Sequence, residues 1–506
     1  MSHRIRPRRR VARPWSAVAF VLCVAAFAGC GTDAHQPDAA TTSSRWTLPN
    51  ADAANTRFAE GPIDSSSVSR LRVSWKLPLT GGYATTPVFA DGVAYLQTLN
   101  SDVFAIDLDS GRVRWTVRFN DPNVGPNGVT LGEGRVFGAT NTAVFALDAK
   151  TGRRLWSRRI VRNAAEAIDM APGYSDGTVY ASPAVRSPGS AGVLWALDAV
   201  TGRPRWRWAE VPADLWGHPE VNAGGGLWHP PSFDGEGGLY VGVANPLPFL
   251  GTAAYPWGSS RPGPNRWNNS IVKLDAATGR LIWGRQVLPH DVYDWDLEAP
   301  VILAKSRGRH IAIAAGKMGI VYAFDARTGE LLWKRPVGLH NGHDDDNLLA
   351  MRGDTARLRF PLRVLPGNWG GVQTPMASDG DTVYVPVNNL YVVYSSQTVS
   401  AQQDLMEGTG EIVALDVASG RVRWDRRLPH SVYGAATVAN DVAFTTTIEG
   451  VVWGISTRTG AVVWRARLPA GTIAPVGIAG DTLVTAASLP LAEGQRPAIV
   501  AYRLER

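Results

Sequence analysis

The stretch AIDLDSGRVRW occupies residues 105–115, and six further stretches of the chain repeat its pattern. Each copy has an apolar run, a Ser/Thr-Gly turn, a second apolar run and a closing Trp, and all but the last have an Asp before the turn. The other copies are ALDAKTGRRLW (146–156), ALDAVTGRPRW (196–206), KLDAATGRLIW (273–283), AFDARTGELLW (323–333), ALDVASGRVRW (414–424) and GISTRTGAVVW (454–464). A turn of this chemistry between two apolar runs predicts a β-hairpin in every copy.

The spacing of the closing tryptophans predicts a ring of small sheets. Most of these residues follow one another by 40 to 50 positions, which is close to the length of a four-stranded blade. A half-copy, RVSW, ends at Trp75, and the C-terminal run IVAYRLER has the strand before the turn but no Trp. We therefore expect an all-β fold, an eight-bladed β-propeller closed by N- and C-terminal strands that share one blade. The eight tryptophans are expected to pack between neighbouring blades.

The first 29 residues predict a targeting segment. Six arginines precede an apolar run from Trp15 to Phe27, and the sequence Ala28-Gly29-Cys30 follows. We expect residues 1–29 to be a lipoprotein signal peptide and Cys30 to be lipidated; an ordinary cleaved signal or an uncleaved anchor is the alternative. Residues 30–45 are small and polar, which predicts a flexible tether before a propeller over residues 46–506. The protein is therefore expected outside the cytoplasm, anchored to the cell membrane.

The charge of the chain gives no reason to expect a nucleic-acid partner. The formal net charge is +7, but six of the positive charges belong to arginines before residue 14, in a segment without acidic residues. The remaining body is close to neutral. The only two cysteines, Cys23 and Cys30, lie near the N-terminus, so we expect no disulfide, no Cys-ligated metal and no covalently attached haem in the propeller.

Two stretches outside the repeat carry a family resemblance. These are GGGLWHPPSFDGEGGLYVGVANPLPF, residues 224–249, and LPHDVYDWD, residues 288–296. Together with the repeat and the entry segment NADAANTRFAEG, they resemble the pyrroloquinoline quinone (PQQ) propeller proteins and the quinoprotein alcohol dehydrogenases. The resemblance implies oxidation of an alcohol or sugar-like hydroxyl, with PQQ and a calcium or lanthanide ion as cofactors.

The resemblance assigns roles to five residues. Trp228 matches the aromatic floor under the quinone ring, and Asn245 matches an amide that holds the metal. Asp294 matches the general base and a metal ligand, and Asp296 resembles the extra aspartate of lanthanide-using members. Lys317 lies where the family has a basic residue over the quinone. The structural alternatives are a buried Trp in the channel, an Asn-Pro turn, a blade-edge loop and an exposed Lys.

Other family features are absent from the chain. An ungapped count from the third repeat gives Ser187 where the family has a metal-ligand Glu, and no vicinal cysteine pair occurs. Asn127 replaces a basic residue, and Gln373-Thr374 replaces an Asn-Trp pair. Because PQQ carries three carboxylates, fewer cationic partners weaken the expectation of tight binding.

Two classes of function follow. The first is an exported quinoprotein-like oxidoreductase that passes electrons to a separate acceptor, because no Cys-x-x-Cys-His site is present. The second is a non-catalytic binding or scaffold lipoprotein of the cell envelope. No hydrolase elbow, Walker loop, dinucleotide turn or His-Glu-x-x-His helix occurs. We expect the acidic run GHDDDN, residues 342–347, to be a solvated loop rather than a calcium site.

Overall fold

The computed structural model describes residues 46–505, and these residues form 40 β-strands and very little helix. The α-helix found in this range is α1 (Asp346–Met351), and two short 3₁₀ turns cover Val68–Arg70 and Leu215–Gly217. The expected all-β class is therefore confirmed. The expected signal peptide (residues 1–29), the tether (30–45) and the lipidated Cys30 lie outside the described residues. Between residues 46 and 505, no helix is long and apolar enough to cross a bilayer.

The strands of the first half of the chain are β1 (Phe58–Ala59), β2 (Leu71–Pro78), β3 (Val88–Ala90), β4 (Val93–Gln97), β5 (Val103–Asp107), β6 (Val113–Val117), β7 (Thr130–Gly132), β8 (Arg135–Ala139), β9 (Ala143–Asp148), β10 (Arg154–Arg159), β11 (Glu166–Ala167), β12 (Gly173–Ser175), β13 (Thr178–Ala181), β14 (Ala184–Val185), β15 (Val193–Asp198), β16 (Pro204–Ala209), β17 (Ala223–Gly224), β18 (Ser232–Phe233), β19 (Gly238–Val243) and β20 (Pro246–Leu247).

The strands of the second half are β21 (Ser270–Asp275), β22 (Leu281–Gln286), β23 (Ile302–Ser306), β24 (Arg309–Ala315), β25 (Ile320–Asp325), β26 (Leu331–Pro336), β27 (Leu362–Val364), β28 (Ala377–Ser378), β29 (Thr382–Asn389), β30 (Val392–Tyr394), β31 (Ser400–Gln402), β32 (Thr409–Asp416), β33 (Val422–Leu428), β34 (Thr437–Ala439), β35 (Val442–Thr447), β36 (Val451–Ser456), β37 (Val462–Arg467), β38 (Gly477–Ala479), β39 (Thr482–Ala487) and β40 (Ala498–Leu504).

Most strands belong to sheets of four or five strands, which are antiparallel except for the parallel pair β1–β34. Each repeat supplies the last two strands of one sheet, as β5 and β6 do in the sheet β3-β4-β5-β6. The sheet β2-β40-β39-β38 differs because its outermost strand comes from the N-terminal part of the chain. There β2 pairs with β40 from Leu71↔Leu504 to Pro78↔Ala498. The remaining sheets of this size are β7–β10, β12-β13-β15-β16, β18-β19-β21-β22, β23–β26, β28-β29-β32-β33 and the five-stranded β1-β34-β35-β36-β37.

The closing tryptophan of a repeat contacts the turn of the next sheet. The Trp156 Nε1 atom donates a hydrogen bond of 3.0 Å to the Ala199 carbonyl, and the indole covers Gly202. Gly202 has φ +66°, and a Cβ atom there would lie 2.7 Å from the Trp156 ring, so both the turn and the packing require glycine. The same bond to the next turn is made by Trp75, Trp115, Trp206, Trp283, Trp333 and Trp424. The eighth, Trp464, packs edge-on against Tyr502.

An entry segment, residues 46–59, connects the first strands of six sheets. Its backbone carbonyls accept hydrogen bonds from amides in β3, β7, β18, β23, β28 and β34. Arg57, which is fully buried, donates further bonds to the carbonyls of Pro49, Ala436 and Val476. The first strands of these sheets therefore surround one short segment. This segment also forms part of the wall of the candidate site, through Pro49 and Asn50.

Candidate functional site

A cavity of about 470 Å³ contains all five residues singled out by the sequence. Trp228, Asn245, Asp294, Asp296 and Lys317 line it, although they come from three separate parts of the chain. A second cavity of about 510 Å³ contains none of them; it lies near the opposite end of β23, β24 and β25. The first cavity is therefore the candidate site, and the roles of its residues remain predictions.

The loop of residues 288–298, between β22 and β23, places the acidic side chains. Asp294 has φ +63°, a backbone conformation that residues other than glycine rarely adopt. The Asp291 carboxylate accepts hydrogen bonds from the backbone amides of the two neighbours of Asp294, Tyr293 N at 2.8 Å and Trp295 N at 2.6 Å. His290 is held by the backbone carbonyls of Trp257 and Gly263. Asp291 and His290 thus shape the loop through hydrogen bonds, while Asp294 faces the cavity.

Three carboxylates at alternate positions surround one ammonium group. Lys317 Nζ lies 2.6 Å from Asp296 Oδ2, 3.3 Å from Asp294 Oδ2 and 3.9 Å from Glu298 Oε2. The side chain of Asp294 is 21% exposed, whereas that of Asp296 is fully buried. Sequence reasoning missed Glu298. The signal was present, because residues 294, 296 and 298 are all acidic and lie at alternate positions.

Asn245 is held by the same carboxylates. Its backbone amide donates to Asp296 Oδ1 at 2.7 Å, and its side-chain amide donates to Asp294 Oδ1 at 2.8 Å. Asn245 lies between the end of β19 at Val243 and the start of the short strand β20 at Pro246. Asn245 and Asp294, which lie far apart in sequence, are therefore in direct contact.

Burial raises the pKa of two of the cavity carboxyl groups. The pKa of Asp294 rises to about 7, because burial disfavours its charged form; the attraction of Lys317 lowers this pKa, and repulsion from Asp296 and Asp291 raises it. Burial also raises the pKa of Glu298 well above its usual value. Burial alone would lower the pKa of Lys317, but Asp294, Asp296 and Glu298 outweigh it and raise this pKa. The site therefore combines a firmly charged ammonium group with a carboxyl group that titrates near neutral pH.

The other walls are aromatic and apolar. Trp228 lines the cavity next to His229, whose pKa falls to about 3 through burial and the nearby Arg57 charge, so this imidazole is neutral. Trp369 and Val124 stand at the rim, with exposed fractions of 49% and 72%. Two polar atoms of cavity-lining residues, Asn368 Oδ1 and Thr374 Oγ1, have no hydrogen-bond partner in the protein.

Two positions that depart from the family pattern lie outside the cavity lining. Ser187 does not line the cavity, although Val185, the last residue of β14, does. Asn127 is buried and donates to the Thr98 carbonyl, while its neighbours Gly125 and Pro126 line the cavity. Neither an acid from the third repeat nor a basic residue at position 127 reaches the site.

The donor set for a metal ion is incomplete on its own. Within residues 46–505, no group of three or more His, Cys, Asp or Glu side chains is arranged to hold a metal ion. Lys317 stands among the carboxylates that would otherwise be the ligands. The oxygens of Asn245, Asp294 and Asp296 are hard donors of the kind that calcium and lanthanide ions prefer. Any ion bound there would need further oxygens from a cofactor or water.

Comparison with known proteins identifies the relatives of this architecture. The family model for the β-propeller domain of glucose, ethanol and alcohol dehydrogenases matches residues 175–337, which include both non-repeat stretches. A second PQQ-repeat model, described as the outer membrane protein assembly factor BamB, matches residues 100–227 and 317–501, more than half of the chain.

Individual relatives agree with these models. The quinohemoprotein alcohol dehydrogenase of Comamonas testosteroni is 26% identical over 85% of this chain and 70% of its own length. A solved structure of the Comamonas testosteroni quinohemoprotein alcohol dehydrogenase covers 91% of this chain and 80% of its own chain, with a TM-score of 0.79 and 23% identity. A europium-containing methanol dehydrogenase covers 91% of this chain and 98% of its own, with a TM-score of 0.75 and 20% identity. The chain belongs to the PQQ-repeat β-propeller family.

Proposed function

We propose that this protein is a PQQ-dependent oxidoreductase that oxidises an alcohol in the cavity between Trp228 and Asp294. One observation carries the proposal. Trp228, Asn245 and Asp294 are not needed to build the repeat, yet they meet in one cavity, and Asn245 and Asp294 share a hydrogen bond of 2.8 Å. The alcohol dehydrogenases among the relatives support the same class of reaction.

The cavity fits a flat, oxygen-rich cofactor. Trp228 provides an aromatic face for the ring system, and Asn368 and Thr374 provide polar atoms that lack partners within the protein. The cavity offers a tri-anionic cofactor one ammonium group, Lys317, which three carboxyl groups already surround, so that cofactor needs a bound cation beside it. Asn245, Asp294 and Asp296 would hold that calcium or lanthanide ion, and Lys317 would face the quinone.

Asp294 is the general base of the proposed reaction. When bound, PQQ supplies the acceptor for the two electrons of the alcohol, and a hard cation increases its electrophilicity. The carboxylate of Asp294 is open to the cavity and accepts the proton of the substrate hydroxyl. Without a metal the pKa of Asp294 is about 7, and a cation bound beside it would lower this pKa and keep the carboxylate ionised at neutral pH.

An alcohol suits the rim better than a sugar does. The sequence left both open, but Trp369, Val124, Leu405 and Ile473 make one side of the entrance apolar. An apolar rim favours a substrate that carries an aliphatic or aromatic part next to its hydroxyl. A separate electron acceptor then takes the electrons, because the sequence has no haem attachment site.

The architecture and location complete the proposal. The eight large sheets are the blades of one closed eight-bladed propeller, supported by the β2–β40 pairing and by the entry segment that joins six first strands. The N-terminal arginines, apolar run and Cys30 support export and lipid anchoring outside the cytoplasm.

A scaffold lipoprotein is the second candidate. It is favoured by the match of more than half of the chain to the assembly-factor model. A scaffold gives no reason for three carboxylates and an unusual backbone conformation at Asp294.

Reconstitution distinguishes the two candidates. The purified full chain is mixed with PQQ plus calcium or a lanthanide, and dye reduction is followed with a panel of alcohols. If the protein is the proposed enzyme, we expect dye reduction by the wild type, loss of activity in Asp294→Asn, and normal activity in the turn variant Asp198→Asn. If the wild type neither binds quinone nor reduces dye with any alcohol, the scaffold function takes its place.

A further inference from the structure

The acidic run of residues 342–347 is not the solvated loop that the sequence predicted. Its last two residues open helix α1 and are buried: Asp346 is 7% exposed and Asn347 is fully buried. Only the earlier part faces solvent, where Asp345 is exposed and Asp344 pairs with His340 at 2.8 Å. The prediction was wrong for Asp346 and Asn347 because their acceptor oxygens have specific partners elsewhere in the protein.

Those partners lie on the loop that carries Asp294. Asn347 Oδ1 accepts a hydrogen bond of 2.7 Å from the backbone amide of Val292. Asp346 Oδ2 accepts a bond of 2.6 Å from the hydroxyl of Tyr293, the residue directly before Asp294. His343 Nδ1 lies 2.6 Å from the same Asp346 oxygen and so fixes that carboxylate from the other side.

Two more contacts come from elsewhere in the insertion, the long interval between Trp333 and Trp424 to which α1 also belongs. The Tyr394 hydroxyl donates to the Tyr293 carbonyl at 3.3 Å, and the two rings stack with centroids 5.7 Å apart. The Trp295 Nε1 atom donates to the Pro366 carbonyl at 3.1 Å. The insertion therefore holds the residue before Asp294 and the residue after it.

A non-glycine residue at φ +63° is stable only where its surroundings hold it, because the conformation itself costs about 1 kcal/mol or more. Asp291 supplies part of that restraint from within the loop. The contacts from α1 reach the loop from a separate element. These contacts add a restraint on the loop that the repeat itself does not provide.

We propose that Asp346 and Asn347 are positioning residues that hold the 290–296 loop so that the Asp294 carboxylate points into the cavity. This role rests on the proposed function, since it assigns to the insertion a part in the chemistry of Asp294. The long interval between Trp333 and Trp424 is then the segment that braces the reacting carboxylate.

The test compares Asn347→Leu and Asp346→Ala with two control variants. Asn347→Asp keeps an oxygen for the Val292 amide, and Asp345→Ala changes the exposed neighbour. We expect Asn347→Leu and Asp346→Ala to lower kcat about 10- to 100-fold, because a small misplacement of a reacting group has effects of this size. The KM for the alcohol stays within about twofold of the wild type. Asp345→Ala retains the wild-type kcat, and Asn347→Asp retains more of it than Asn347→Leu does.

Hydrogen exchange gives a readout that does not depend on activity. Amides of residues 290–296 should exchange faster in Asn347→Leu and Asp346→Ala, while the strands β23 to β26 keep their protection. Unchanged exchange in the loop, or an unchanged kcat in both variants, overturns the proposed positioning role of Asp346 and Asn347. If the wild type oxidises no alcohol, the proposed function fails, and the exchange of residues 290–296 alone then decides for or against this role.

Discussion

Aspartates in the repeat turns and aspartates at the cavity have opposite properties. In the repeat turns, Asp198 Oδ1 accepts hydrogen bonds from the amide and hydroxyl of Thr201, and its other oxygen pairs with Arg205 at 2.8 Å. These donors lower the pKa of Asp198. At the cavity, burial and neighbouring carboxylates raise the pKa of Asp294 to about 7. The turn aspartate has hydrogen-bond donors for its charge, whereas the cavity aspartate lies beside other carboxyl groups.

The strand β25 shows how close the two environments are. It begins just after Lys317 at the cavity and ends at Asp325, which belongs to a repeat turn. The repeat fixes architecture through turns with complete hydrogen bonding. The segments between repeats bring several charged side chains together at the cavity without a need of the repeat fold for them, which is the pattern expected of a functional site.

The largest effect is expected from removing the counter-charge of the cavity. Lys317→Met leaves Asp294, Asp296 and Glu298 without their ammonium partner, and we expect the free energy of unfolding to fall by about 3 to 5 kcal/mol. Lys334→Met, on the exposed strand β26, should change it by less than about 0.5 kcal/mol. Urea denaturation measures both. Equal effects of the two substitutions would show that the cavity charges are not coupled.

A smaller loss is expected at the turn. Asp198→Ala removes the acceptor of Thr201 and the partner of Arg205, and we expect it to cost about 1 to 2 kcal/mol at about pH 7. Because the folded-state pKa of Asp198 is depressed, its stabilisation is present above the unfolded pKa and is lost as pH falls through the folded value. Denaturation curves recorded down to about pH 2 should therefore converge for the two proteins. A difference that persists at the acidic end would contradict this account.

The cavity carboxylate should show the opposite sign. Because the folded-state pKa of Asp294 is raised, the wild type loses stability as pH rises from the ordinary carboxyl range towards about 7. The neutral Asp294→Asn variant escapes this loss, so without cofactor or metal it should be more stable than the wild type at about pH 8, with little difference at about pH 4. Thermal unfolding at both pH values tests this. An Asn variant that is less stable at alkaline pH would break the comparison.

The smallest effect on stability is expected at the rim. Trp369 is half exposed, so Trp369→Ala should alter the unfolding free energy by less than about 0.5 kcal/mol. It should still raise the apparent KM for alcohols with an apolar part several-fold, and the KM for short alcohols much less, because a lost apolar contact is worth about 1 kcal/mol. Leu339→Ala, at an exposed residue outside the cavity, is the matched control. Equal KM changes along the alcohol series would remove Trp369 from specificity.

The repeat could be predicted because its contacts are local and are repeated with the same chemistry. Trp156, Gly202 and their counterparts meet wherever a closing Trp faces the next turn, so one pattern predicts seven junctions. The meeting of Asn245 with Asp294 followed from family resemblance rather than from spacing. The resemblance did not extend to Glu298, although period-two alternation from Asp294 points to it.

Loop length and tertiary contact limited the remaining inferences. Val185 lines the cavity and Ser187 does not, and spacing from the repeat alone does not say which residue of a loop faces a cavity. Asp346 and Asn347 look like solvated residues in sequence. Their partners, Tyr293 and Val292, lie more than fifty residues away, and only the folded chain brings them together.

Quinone binding tests the central claim most directly. PQQ is titrated into the full chain with calcium or a lanthanide present, and the quenching of tryptophan fluorescence is compared between the wild type and Trp228→Leu. The account predicts saturable binding of one PQQ per chain that needs the cation and that weakens at least tenfold in Trp228→Leu, about 1.4 kcal/mol. Absence of binding, or binding that neither the cation nor Trp228 affects, would contradict a quinone site in this cavity.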